Sequence, residues 1–219
     1  MKLNIEIPTS LNEISLRQYK KFLKIQESEN DDRFLNAKMI EIFCNTNLEA
    51  VMLLKFNDTQ DISSMLSNLF ESKPHLVTKF KIGNLEYGFH PQLDNLTLGE
   101  YIDLDTYIGD WHNMEKAMNV LYRPITSKLK GKYSIEEYKI GTEIDLLDMP
   151  MDAVLSSIFF FWNLGLELSK TMMSYLEVEE VENKEALMDF LNSQKNGDGI
   201  KVSLDSLKEI LQDLKISLN

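Results

Sequence analysis

The residues able to do chemistry in this chain are few and widely spaced. Its three histidines, His75, His90 and His112, stand apart, and none has the HExxH spacing that turns two imidazoles toward one zinc ion. Asp103 and Asp105 come closest to a metal pair. On a helix, a two-residue step places them on different sides, and no Gly or Glu follows at calcium-loop spacing. Cys44 is the single cysteine, which excludes an internal disulfide and a cysteine-based zinc site. Its place in the apolar run MIEIFC marks it as a reduced core residue. No glycine-rich phosphate loop, nucleotide fingerprint or activated nucleophile occurs. The pattern points to a non-enzymatic chain with no cofactor and no metal; only a constellation assembled from distant residues would escape such a reading.

Two other groupings carry physical information. Residues 82 to 115 hold seven acids and no Lys or Arg, whereas residues 116 to 139 hold six bases and two acids. Such blocks can orient a partner, pair two parts of the chain, or form a solvated face. Arg123, at the end of a helix in the second block, is expected to neutralise the first, with Asp103 or Asp105 as its partner. The second grouping is Phe159, Phe160, Phe161 and Trp162. Each step along a helix turns about 100°, so four consecutive aromatics cover most of the circumference. That helix is either the centre of the core or turns one side toward another chain, which makes these four residues the candidate partner-binding set.

The elements that position these residues have readable signals. The segment VTKFKIGNLEYGFH alternates about Gly83-Asn84, which predicts a hairpin pairing Ile82 with Leu85, Phe80 with Tyr87 and Thr78 with Phe89. Thr97 and Glu100 form a capping-box pattern for a helix from about Leu98 to Ile108. Asp110 caps a second, which Arg123-Pro124 ends because the residue before proline avoids α geometry. Residues 2 to 7 alternate and predict a strand that joins the hairpin as its third member.

Ser15 and Gln18 suggest a further cap. Three short helices follow, FLNAKMIEIF, LEAVMLLKF and ISSMLSNLFE, separated by the turn-rich CNTN and NDTQD. SKLKGK reads as a basic loop, and YSIEEY as a short strand or one helical turn. Met149-Pro150 opens the apolar helix. Residues 1–177 thus form a mainly α domain with a small antiparallel sheet, an α+β fold. Residues 178–219 form an acidic linker and a C-terminal helical appendage. In its last helix Leu204, Leu207, Leu211, Leu214 and Leu218 would dock on the domain or on a partner.

The run YGFHPQLDNLTLGEYIDLDTYIGDW, with NMEKAMNVLYRPI, KYSIEEY and PMDAVLSSIFFFWNLGLELSK after it, resembles a group of uncharacterised tailed-bacteriophage proteins. The resemblance spans roughly residues 77 to 176. Those proteins are thought to act in virion or tail morphogenesis, in the manner of tail-assembly chaperones. What the resemblance implies is a protein that binds another phage structural or tail protein during assembly, in the host cytoplasm. The alternatives are a permanent piece of the virion neck or tail, and a host-directed regulator or unrecognised enzyme. No site residues come with it.

Composition agrees with a folded binder. Net charge of −12 disfavours non-specific nucleic-acid contact and anionic membranes, since phosphate binding relies on clustered cations. The apolar run near residues 158 to 162 is far too short to span a bilayer, and the N-terminus shows no secretory h-region, so neither membrane nor export is expected.

Overall fold

The computed structural model describes residues 5–139, 141 and 145–176, with side chains to residue 166. Within these, seven α-helices accompany one four-stranded antiparallel sheet of order β1-β2-β3-β4, an α+β fold. The elements run α1 (Leu16–Gln26), α2 (Asp32–Phe43), α3 (Leu48–Met52), α4 (Phe56–Phe70), β1 (Lys79–Ile82) and β2 (Leu85–Phe89). They continue with α5 (Leu98–Tyr107), α6 (Met114–Leu121), β3 (Tyr122–Leu129), β4 (Lys132–Ile135) and α7 (Met151–Leu176).

Local chemistry sets most of the boundaries. Ser15 and Gln18 close one capping box and Thr97 and Glu100 another, each pair satisfying two N–H groups that a helix start leaves unpaired. Asp31 and Asn47 cap α2 and α3. NDTQD does not separate helices. The turn falls earlier, at residues 53–55, and these polar residues lie in the first turns of α4, mostly facing water. Their polarity reports exposure rather than a break.

The first hairpin has the register that alternation requires: Phe80 opposite Tyr87, Lys81 opposite Glu86 and Ile82 opposite Leu85, with Gly83 at φ +56°. The Phe80 and Tyr87 rings stack with centroids 5.5 Å apart. The third strand, however, is not the N-terminal one. Residues 5–7 have no strand pairing, although Ile5 and Ile7 pack on the core, and residues 1–4 lie outside the described set. The free edge of β2 is taken instead by β3, which leaves α6 with no intervening loop, Tyr87 facing Pro124 and Phe89 facing Tyr122. Pro124 forces extended geometry on Arg123, so the chain leaves the helix already shaped as a strand. The basic SKLKGK is likewise no loop. It carries the end of β3 into β4 through Lys130 and Gly131, both at positive φ as a tight two-residue turn demands.

Tyr122, fully buried where α6 becomes β3, is the centre of the core. Its ring meets Phe80 and Phe89 at 5.0 and 5.2 Å. Its hydroxyl donates to the Val77 carbonyl at 2.7 Å and accepts from Ser157 Oγ at 3.0 Å. Burial raises the phenol above its ordinary value. Cys44 is in this core too, its thiol pushed up by burial to about 11.

The buried hub of α7 is its first two turns, Met151, Ala153, Val154, Ser156, Ser157 and Ile158, and not the aromatic run beyond them. Small residues at 153, 156 and 157 let this helix approach Tyr122 closely enough for its hydroxyl to accept from Ser157. Four bulky rings would hold the backbones apart. The segment leading into α7 is bound to the start of α1: Leu16 N–H donates to Met149 O, Arg17 N–H to Leu147 O, and Met151 N–H to Ile14 O. Residues 178–219, with their proposed linker and appendage, lie outside the described residues.

Candidate functional site

Hydrogen bonding along the strands continues past the end of β2, where the His90 N–H donates to the Leu121 carbonyl at 2.7 Å. That extension brings His90 beside Arg123. The capping box of α5 delivers Glu100 to the same place. Arg123 Nη2 stands 2.6 Å from Glu100 Oε1, with both side chains about 95% buried or more. His90 Nε2 lies 3.7 Å from the same oxygen. The other oxygen, Oε2, accepts from the Thr97 N–H and hydroxyl, each at 2.8 Å.

Arg123 therefore pairs with Glu100, and neither Asp103 nor Asp105 is its ion-pair partner. Asp103 accepts a hydrogen bond from the Tyr138 hydroxyl, and the Tyr138 ring lies 5.8 Å from the guanidinium carbon. The reason is helical phase. Glu100 and Leu104 are on the buried side of α5, while positions 103 and 105 flank that side.

The electrostatics follow from this packing. Burial by itself raises the Glu100 carboxyl, but the two Thr97 bonds, then Arg123 and His90, outweigh it and hold the group below its ordinary value. Burial lowers His90, the Arg123 cation lowers it further, and Glu100 only partly opposes them. Burial and donation to Asp103 raise the Tyr138 phenol. With both oxygens engaged inside the chain, Glu100 is built as a clamp joining α5 to β3, not as a base poised to take a proton.

Two ion pairs join the acid and base blocks within the chain. Glu86 pairs with Lys128 across the sheet and Glu100 with Arg123, while Glu115 pairs with Lys20 on α1. Among the described residues no three His, Cys, Asp or Glu side chains stand together as a metal site. No helix among them is long and apolar enough to cross a membrane.

The aromatic run divides in two. Phe160 packs edge-on against Phe89 at 5.7 Å, with Phe161 against Phe160 at 5.3 Å. Phe159 and Trp162 stack on each other at 6.2 Å. All four are partly buried. More exposed apolar side chains lie elsewhere and escaped the sequence reading. Met52, Leu53 and Phe56, at 71%, 70% and 63% exposure, crowd the turn from α3 to α4. Leu98 and Ile102 project from the outer face of α5. The run MLLKF held the signal, since an apolar stretch crossing a helix break cannot keep all its members on one buried side.

Comparison with known protein families, with curated proteins and with solved structures gives no match.

Proposed function

We propose that the protein binds another phage protein during virion or tail morphogenesis and acts as an assembly chaperone. The observation that carries this reading is the turn from α3 to α4, where three large apolar side chains within five residues stand mostly in water. Scattered single hydrophobics are ordinary on a surface, whereas a local cluster is a common mark of a protein–protein contact. The resemblance of residues 77 to 176 to phage morphogenesis proteins supplies the biological setting. The stacked Phe159–Trp162 pair is the candidate face on α7.

The test is affinity purification of the tagged chain from phage-infected cells, with mass spectrometry of purified mature virions. A chaperone recovers one phage structural or tail protein in near-stoichiometric amount and is absent from the virion. Met52→Ser with Phe56→Ser is expected to abolish recovery while leaving the Tm unchanged, and Phe159→Ala with Trp162→Ala reports on the α7 face. A chain found stoichiometrically in virions is a structural component instead. Recovery of no phage protein overturns the binding reading.

A further inference from the structure

His90 occupies a position whose hydrogen bonding suits only its neutral form. Its Nδ1 accepts the Gln92 N–H at 3.2 Å, which assigns the ring proton to Nε2, on the side of Glu100. The side chain is 10% exposed. Two charged groups face it, Glu100 from α5 and Arg123 from β3, and these already form a closed ion pair at 2.6 Å. A proton added to the imidazole must go to Nδ1, where it meets the Gln92 N–H, donor against donor. It also brings a second cation beside Arg123 with one carboxylate between them.

The turn affected is the one that leads into α5. Residues 90–97 connect β2 to that helix, and Glu100 is both its capping acid and its link to β3. We propose that His90 is an acid-sensitive latch: in its neutral form it holds the turn that seats α5 on the sheet, and its protonation frees that turn and loosens the helix.

The sign agrees. A histidine whose folded-state value lies below its ordinary 6.5 gives stability that is full above 6.5. That stability is lost as pH falls from 6.5 toward the folded-state value, and the loss is complete below it. Glu100 is held below its ordinary 4.5, outside the pH range over which the latch is tested.

Hydrogen–deuterium exchange of the α5 amides at pH 7.5, 6.5 and 5.5, corrected for intrinsic rates, tests the latch. In the full chain exchange is expected to rise on the order of tenfold as pH drops through this range. His90→Asn keeps an acceptor near the Nδ1 position without a titrating group and is expected to flatten the response. His112→Asn removes the exposed histidine that faces Glu27 and is expected to leave the response intact. A flat wild-type profile, or an equal rise in His90→Asn, overturns the proposal. Should His90→Asn fail to fold, the wild-type His90 ring resonance decides: titration below 6.5 supports the latch and titration at or above it refutes the latch.

Discussion

Arg123→Met isolates the clamp that fastens α5 to the sheet. Methionine retains much of the aliphatic stem, so packing changes little, but Glu100 stays 3% exposed with Oε1 facing the lost cation. A buried charge stripped of its partner costs about 3–5 kcal/mol. Thr97 still serves Oε2, which places the expected loss near the lower end, about 3 kcal/mol. For a chain of this size each kcal/mol moves the Tm by about 2–4 °C, giving a fall of roughly 6–12 °C. Glu100→Gln leaves the opposite charge buried, while its amide oxygen can still accept from Thr97. Combining the two removes both charges. Arg123 Nε is already buried without a hydrogen-bond partner, so the native pair is not fully compensated and the double variant is expected to recover at least about 2 kcal/mol relative to the sum of the singles. Urea denaturation at pH 7.5 measures all three. An Arg123→Met midpoint equal to wild type, or singles that add to within about 0.5 kcal/mol, refutes the clamp.

Tyr122→Phe removes a hydroxyl that serves Val77 O and Ser157 at once, and is expected to cost about 1–3 kcal/mol by urea denaturation. Gly88→Ala would drive a Cβ into Tyr133 Cε2, on a ring pinned through its hydroxyl to the Phe89 carbonyl. The expected loss is about 1–3 kcal/mol, with partial rescue by Tyr133→Ala, read from thermal melts of both variants. Phe160→Ala is expected to lower the Tm more than Phe159→Ala, because only Phe160 meets Phe89 across the core; equal losses would show that both rings are core residues.

What the sequence disclosed was what neighbours in the chain decide. The Gly83 hairpin register and the two capping boxes depend on residues within a few positions, and each is found where local rules put it, whereas the helix expected to run to Arg123 ends at Leu121. The α+β class followed from them. Strand β3 was hidden because YRPITSKL has neither clean alternation nor an apolar run, and only the edge of β2 makes it a strand. Ile5 and Ile7 alternate well but pack on the core without strand pairing, and the edge of β2 goes to β3. The partner of Arg123 was missed for a related reason. Glu100 had a sufficient local role as a capping acid, and nothing in the spacing tells that its second oxygen faces inward. The aromatic run drew the expected core contact of α7 to residues 159–162 because four consecutive rings cover the circumference, whereas close approach to Tyr122 selects small residues.

The backbone bonds between the start of α1 and the entry to α7 also bear on how the chain is made. Arg17 meets Asp148 across 131 residues, and the N–H groups of Leu16, Arg17 and Met151 find their acceptors only in each other's segment. On a ribosome adding about 5–20 residues per second, the first helix waits roughly 7–26 s for its counterpart to be synthesised, and longer for that segment to leave the exit tunnel. Until then the fully buried Ile14 and Leu16 have no α7 to cover them. A nascent chain halted before residue 147 therefore has a first helix whose Leu16 and Arg17 N–H groups still lack their native acceptors.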